Sequence, residues 1–137
     1  MNAMARIIDA NSNRAREALR VMEDLARFRL DHEELSRTLK RIRHDLTSAI
    51  KALPLTDVDL LVSRDVRGDV GTEIVTPQEL KRADEAEMAA AAGGRLAEAL
   101  RSIEEAAKAI NAPAASSTIE SIRYLAYEAQ QKLVLAL

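Results

Sequence analysis

The stretch Glu17 to Arg27, EALRVMEDLAR, recurs further along the chain as Glu98 to Lys108, EALRSIEEAAK. A second pair of segments repeats the relation: LKRIRHDL, starting at Leu39, lines up with IESIRYLA, starting at Ile119. The two copies are 81 residues apart in the first pair and 80 residues apart in the second. So nearly constant an offset indicates that a unit of two helices was duplicated, and not one helix alone. The sequence therefore predicts two related helical hairpins.

The composition of the 137-residue chain favours helices. Apolar residues make up 47% of the sequence and aromatic residues only 2%, so the core must be built from Leu, Ile, Val, Ala and Met. Ala, Glu, Leu and Arg are strong helix formers. The length suits one domain with a sizeable core. We expect a single helical domain over residues 1–137, with residues 1–3 a vector-derived leader before Met4.

Charge and cysteine content exclude several classes of protein. The 20 basic and 22 acidic residues give a net charge of -2, which argues against general attraction to nucleic acid. No apolar run approaches the roughly 20 residues that span a bilayer, and no signal sequence opens the chain. Because cysteine is absent, the chain has neither disulfides nor thiolate metal sites. We expect a cytoplasmic protein that binds neither membrane nor nucleic acid.

Periodicity and capping signals place four main helices. Between the second and third helices, Pro54 to Val75 forms one long loop, and such loops in compact domains are often functional. A capping box is expected at Thr76, a kink or break at Gly93 and Gly94, and another cap at Ser117. The predicted helices run from about Asp9 or Asn11 to Leu30, Glu33 to Leu53, Thr76 to Ile110, and Ser117 to about Leu135. The second helix has an apolar stripe at helical spacing, formed by Leu35, Leu39, Ile42, Leu46, Ala49 and Ile50.

The predicted fold is all-α. Two duplicated hairpins most simply form a four-helix bundle, with the long loop crossing between the halves. The alternative is an intertwined dimer in which the long third helix is exchanged. The sequence leaves both architectures open.

Four repeated arginines fall on helix faces that are otherwise apolar. At about 100° per residue, Arg43 shares a side with leucines of its helix, and Arg123 occupies the matching place in the second copy. Arg14 and Arg95 stand three residues before the two copies of the EALR segment. A buried arginine needs an anion because desolvating its charge is costly. That anion is either a ligand phosphate or a carboxylate from the set Glu17, Glu23, Asp24, Glu98, Glu104 and Glu105.

A polar stripe runs along one side of the predicted first helix. It includes Arg20 and Glu23, which recur in the second copy as Arg101 and Glu104. Stripes of this kind are usually solvated faces with ion pairs between successive turns. The repetition favours a role in the site for these two pairs of residues.

The loop string SRDVRGDVGT, from Ser63 to Thr72, contains the groups that a phosphate site needs. Glycines let backbone N–H groups approach an anion, arginines make bidentate contacts, and carboxylates hold Mg²⁺. The string lacks the Gly-Lys-Ser/Thr ending of a Walker A loop. A polar surface loop without a ligand is the competing interpretation.

Four blocks together resemble the small all-helical hydroxymethylpyrimidine phosphate kinase family of thiamine biosynthesis. That family occurs alone or fused to the N-terminus of thiamine phosphate synthase. The resemblance covers the chain from Arg6 to the region of Tyr124. The sequence departs from the family pattern in the turn just before Arg95, where Ala92 and Gly94 stand in place of an Asn and a basic residue. This departure puts a ligand contact from that turn in doubt. The blocks are Arg6–Phe28, Leu39–Leu46, Arg64–Thr72 and Glu98–Glu105.

The resemblance implies transfer of a phosphoryl group from ATP, with Mg²⁺, onto 4-amino-5-hydroxymethyl-2-methylpyrimidine phosphate, giving the diphosphate that thiamine phosphate synthase uses. It also implies thiamine phosphate synthase as a fusion or functional partner, and a homodimer is a further expectation. One alternative is a regulatory module that binds a phosphopyrimidine or nucleotide without turnover. The other is a purely structural helical adaptor whose arginines form internal salt bridges.

The resemblance and the chemistry together suggest roles for individual residues, with two quasi-equivalent anion pockets facing one another. Clustered arginines and a few carboxylates suit phosphoryl transfer, which depends on positioning and charge neutralisation. The expected catalytic residues are Asp69, Arg43 and Arg20. Phosphate or substrate contacts are expected from Asn13, Arg14, Arg64, Gly68, Gly71, Arg95, Arg101 and Arg123. The expected metal ligands are Asp65, Glu23 and Glu104.

Overall fold

The computed structural model describes residues 2–137, apart from the side chain of Gln78, and this part of the chain is helical without strands, which confirms the all-α prediction. A π-helical turn, Leu25–Arg29, continues the first helix, and a 3₁₀ turn, Pro77–Leu80, precedes the fourth. Within residues 2–137 no helix is both long and apolar enough to span a membrane. The α-helices are α1 (Asn2–Asp24), α2 (Glu33–Lys51), α3 (Asp57–Val62), α4 (Glu85–Ala109) and α5 (Pro113–Ala136).

Four long helices share one apolar core. α1 packs against α2 and α4, and α5 packs against the same two helices. Most of the fully buried side chains are aliphatic, and they come from all four helices, for example Leu19, Leu39, Leu100 and Leu133. The α2 stripe expected from the sequence is buried along its whole length. Buried alanines on α1 and α4 allow these two helices to approach closely.

The predicted starts of the first and last helices were wrong. α1 begins at Asn2, well before Asp9, because Ala5 and Ile8 extend its buried stripe towards the N-terminus. α5 begins at Pro113 and not at Ser117. Proline is favoured at the first helical position, where its missing N–H would have no intrahelical partner.

The segment between α2 and α4 also differs from the prediction. It contains the short helix α3, capped by reciprocal hydrogen bonds between Thr56 and Asp59. The expected capping box at Thr76 is absent, and the chain makes only a 3₁₀ turn there. The helix predicted to start at Thr76 is α4, and it starts at Glu85, since the carboxylate of Asp84 accepts the backbone N–H of Glu87 at 2.8 Å. The expected break at Gly93 is also absent: α4 continues through both glycines.

The two hairpin turns are built alike but differ in length. Asp31 and Asn111 each adopt a positive φ, 49° and 59°. Just after them, the His32 N–H donates to the Ala26 carbonyl and the Ala112 N–H to the Ala107 carbonyl, both at 2.9 Å. The first bond spans one residue more than the second. The π-turn takes up this extra residue, which accounts for the change of repeat offset from 81 to 80.

The adjacent glycines of α4 provide a matched test of packing. A Cβ added at Gly93 would lie 2.3 Å from Cδ of Gln130, whereas one added at Gly94 meets nothing within 4 Å. We expect Gly94→Ala to stabilise the fold by about 0.5–1 kcal/mol through helix propensity. Gly93→Ala should destabilise it, by about 1 kcal/mol or more, because Gln130 must leave its contact with the Ala90 carbonyl. Urea unfolding of both variants gives the comparison, and equal effects would contradict this packing.

Candidate functional site

A polar groove lies at the first hairpin turn, between the end of the first helix with its π-turn and the start of α2. Its volume is about 440 Å³, which is in the range of small-molecule sites. Both signs of charge occur in it. Its lining residues are Glu23, Arg27, Asp31, His32, Glu33, Ser36, Arg37 and Lys40.

A largely buried ion pair joins the two helices beneath this groove. Nε of Arg43 lies 3.3 Å from a carboxylate oxygen of Glu23, and the side chains are 18% and 9% exposed. Arg43 therefore interrupts an apolar face, as its spacing predicted. Its partner in this structure is a carboxylate of the protein.

The second hairpin contains the matching pair. Nε of Arg123 donates to the carboxylate of Glu104 at 2.6 Å, and Glu104 is almost completely buried. The Ser116 hydroxyl donates to the Glu104 backbone carbonyl at 3.1 Å, which adds a further hydrogen bond between α4 and α5. The hydrogen bond that Arg123 donates to Glu104 raises the pKa of Arg123 above its usual value, against the opposing effect of burial.

The two hairpins differ at the arginine one turn before each buried glutamate. Arg101 donates to Glu104 at 2.7 Å and lies 3.1 Å from Glu105, and its pKa is raised chiefly by the hydrogen bond to Glu104. Arg20 is exposed, and the described residues include no hydrogen-bond or ion-pair partner for it. Glu104 is thus shared by two guanidinium groups, whereas Glu23 has only Arg43.

The remaining pair of repeated arginines lies nearer the surface. Arg95 makes a bidentate contact with Glu17, at 3.1 and 3.3 Å, with both side chains partly exposed. Arg14 is exposed and donates to the side chain of Asn11 at 3.4 Å. The prediction that Arg14 interrupts a buried face was wrong, because this position lies at the edge of the packed face of α1.

The loop arginine predicted to bind phosphate is held by α1. Arg64 makes a bidentate contact with Asp9, at 2.6 and 2.8 Å. The hydrogen bond and the charge of Asp9 raise the pKa of Arg64. Asn13 also donates to Asp9, at 3.5 Å. Asp9 was not among the residues expected in the site, although it stands one turn before Asn13 on α1.

The loop carboxylates and glycines form local turns. The Gly68 N–H donates to the Asp65 carboxylate at 2.9 Å, and the Gly71 N–H donates to the Asp69 carboxylate at 2.8 Å. These residues are exposed. Their backbone N–H groups are therefore directed at neighbouring carboxylates and not at a free anion position.

The expected metal ligands do not converge. Glu23 lies under the first groove and Glu104 in the second hairpin, each bound by an arginine, while Asp65 is in the exposed loop. Within residues 2–137, no three His, Asp or Glu side chains are grouped to hold a metal ion. The lining of the first groove has three cationic side chains and three carboxylates, but Glu23 is paired with Arg43 and Glu33 with Arg37. Among the described residues, two cations, Arg27 and Lys40, are left with one unpaired carboxylate, Asp31, so this groove can bind an anion.

Comparison with known proteins gives a consistent family. Residues 6–132 match the model of the ThiD2 family. A thiamine-phosphate synthase of Rhodopirellula baltica is 45% identical over 130 residues, which cover 95% of this chain and 34% of that protein. A thiamine-phosphate synthase of Synechocystis is 39% identical over 132 residues, covering 96% of this chain and 36% of that protein. No solved structure matches significantly.

The chain thus spans about a third of the length of these curated relatives. The match extends over both hairpins and the loop between them, the same blocks that carry the resemblance found in the sequence. It places the protein in thiamine biosynthesis. The chain belongs to the ThiD2 family.

Proposed function

We propose that this protein phosphorylates 4-amino-5-hydroxymethyl-2-methylpyrimidine phosphate with ATP, forming the diphosphate. Membership of the ThiD2 family and relatives named thiamine-phosphate synthase support this reaction, because the diphosphate is the form that a thiamine phosphate synthase consumes. A separate or fused thiamine phosphate synthase is the expected partner.

One observation carries the assignment of the site. Arg20 stands without a carboxylate partner beside the Glu23–Arg43 pair, whereas Arg101, its counterpart, is bound to Glu104 and Glu105. An unpaired guanidinium is available for a phosphate and can make bidentate contacts to it. Arg20 stands one turn before Glu23, which lines the groove, so we place the anion site at the first hairpin.

This asymmetry revises the expectation of two equivalent anion pockets. We infer that the hairpins arose by duplication and that their functions diverged. The first hairpin binds ligand, and the second, where Glu104 and Glu105 are paired with Arg101 and Arg123, maintains the fold. The matching turns and the matching buried pairs support this inference.

The chemistry requires charge neutralisation more than proton transfer. An oxygen of the substrate phosphate attacks the γ-phosphorus of ATP, a new P–O bond forms, and ADP leaves with the electron pair of the broken P–O bond. A phosphate monoester is mostly dianionic at pH 7, since its second pKa is about 6. No proton has to be removed from the nucleophile, so we assign no catalytic base. Arg20, with the cations of the groove, would hold the two phosphates in line.

The groove also fits the Mg²⁺ that accompanies ATP. Mg²⁺ usually takes one or two carboxylates together with phosphates and water, and Glu23 and Asp31 both line the groove. The ion supplies neutralisation of charge on the phosphates. Contacts from Arg64, Arg95 and the loop glycines to substrate stay predictions, as does the homodimer.

The activity is tested by incubating the purified chain with ATP, Mg²⁺ and the pyrimidine monophosphate. We expect the pyrimidine diphosphate and ADP in equal amounts, measured by ³¹P NMR or by chromatography. Omitting the pyrimidine should stop ADP formation. Binding of the pyrimidine phosphate without any diphosphate would instead identify a regulatory module.

Arg20→Gln should lower kcat/KM by about 100-fold or more, the usual cost of losing one donor to developing charge. Arg101→Gln tests the asymmetry, because this arginine is already paired with two glutamates. We expect its effect to be under about tenfold. Arg41→Gln removes an exposed charge outside the groove and serves as the control. Equal losses for Arg20→Gln and Arg101→Gln would restore the two-pocket interpretation.

Glu104→Gln should destabilise the fold rather than alter ligand affinity. Removing one partner of a buried pair typically costs about 3–5 kcal/mol. Because Arg123 retains some solvent contact, we expect about 2–3 kcal/mol. Thermal and urea unfolding give the change in stability, and calorimetry at a temperature where the variant is folded gives the affinity. Unchanged stability with weakened Mg²⁺ dependence would support Glu104 as a metal ligand.

A further inference from the structure

An exposed aromatic side chain stands beside the first groove. Phe28 is the only phenylalanine in the chain and is 68% exposed. The guanidinium of Arg27, which lines the groove, lies 4.8 Å from the centroid of the Phe28 ring. A single exposed phenylalanine needs no special explanation, so its surroundings decide its significance.

Phe28 belongs to the π-turn. The turn Leu25–Arg29 holds the extra residue of the first hairpin, and the Leu30 N–H donates to the Leu25 carbonyl at 3.1 Å across it. The described second hairpin has no π-turn, since α4 is regular as far as Ala109. π-turns are rare and frequently occur at functional sites. The irregularity is therefore specific to the half of the molecule that contains the anion site.

Most of the carboxylates that line the groove are neutralised within it. Glu23 is paired with Arg43 at 3.3 Å, and Glu33 is paired with Arg37 at 2.5 Å. Arg27 and Lys40 have no carboxylate partner among the described residues, while Asp31 is the one unpaired carboxylate. This end of the groove thus carries an excess of positive charge next to an aromatic ring.

The second hairpin serves as an internal comparison. Phe28 lies in the turn where the offset changes from 81 to 80, so its counterpart is Ala109 or Lys108, neither of them aromatic, and the counterpart of Lys40 is Glu120. Both differences remove a feature that a charged aromatic ligand would use. The aromatic ring, the free lysine and the π-turn therefore occur together at the first hairpin turn, and the matching positions of the second hairpin, within the described residues, lack all three.

We propose that this end of the groove binds a phosphorylated planar heterocycle, with the ring stacked on Phe28 and the phosphate held by Arg27 and Lys40. This deepens the proposed function and rests on it for the two candidate ligands. Both the aminopyrimidine monophosphate and ATP combine a planar nitrogen heterocycle with phosphate. Binding is measured without turnover, so that the two proposals can fail separately.

The test is isothermal titration calorimetry of the full chain with two probes, the aminopyrimidine monophosphate and the Mg²⁺ complex of β,γ-imido-ATP. Phe28→Leu should weaken binding of one of them by roughly 5- to 100-fold, the usual contribution of a base stacked on an aromatic side chain. The affected probe identifies the occupant. Lys40→Gln should weaken the same probe by roughly tenfold or more, since it removes a charged donor to phosphate.

Two further variants separate stacking from a structural effect. Phe28→Tyr keeps a ring and should bind within about threefold of the wild type. Tyr124→Leu removes another exposed aromatic ring that lies under an arginine, since Cζ of Arg123 is 5.1 Å from the centroid of the Tyr124 ring. This variant should leave both affinities unchanged. Circular dichroism should show that all variants remain folded.

The outcomes discriminate between the proposals. If Phe28→Leu leaves both affinities within twofold, or if Phe28→Tyr loses as much as Phe28→Leu, the ring site is wrong even where the chain forms the diphosphate. If the chain binds a probe in the Phe28-dependent way but makes no diphosphate, the ring site stands and the kinase proposal fails. Binding of neither probe by the wild type would overturn both.

Discussion

The fold and the candidate site both depend on a buried carboxylate held by an arginine of the neighbouring helix. Glu23 meets Arg43 in the first hairpin, and Glu104 meets Arg123 in the second. Burying such charges costs free energy unless they are paired with good geometry. The pairs therefore restrict the register of each hairpin, because sliding one helix by a turn would leave a charge buried without its partner.

The same interaction explains why related halves can have different roles. A carboxylate has two oxygens, and Glu104 uses them for both Arg123 and Arg101. Glu23 is bound by Arg43 alone, so Arg20 is left exposed beside it. The choice of partner at one position thus separates a hairpin neutralised internally from one with free cations. The π-turn and the exposed Phe28 lie in the first hairpin, the one with free cations, where a ligand would find both charge and an aromatic surface.

Sequence patterns predicted the helical class, the α2 stripe and the intrusion of Arg43 and Arg123 on apolar faces. They failed where local signals competed. The Thr76–Pro77 pair and the Ser117–Glu120 pair have the composition of caps, but Asp84 and Pro113 start the helices. A cap is chosen by which turn can continue into a packed helix, and this depends on contacts distant in sequence. The ion pair between Arg64 and Asp9 was likewise not predicted from the sequence, since these residues are far apart along the chain.

The sequence by itself determined the periodicity of the helices, the repeat and its one-residue change of offset, because these follow from the order of the side chains. Only the tertiary structure decided where the extra residue lies and which anion each arginine meets. An arginine on an apolar face requires an anion. The amino-acid sequence does not say whether a carboxylate of a neighbouring helix lies within hydrogen-bonding distance of that arginine. Packing supplied that carboxylate to Arg43, Arg101 and Arg123 and left Arg20 without one.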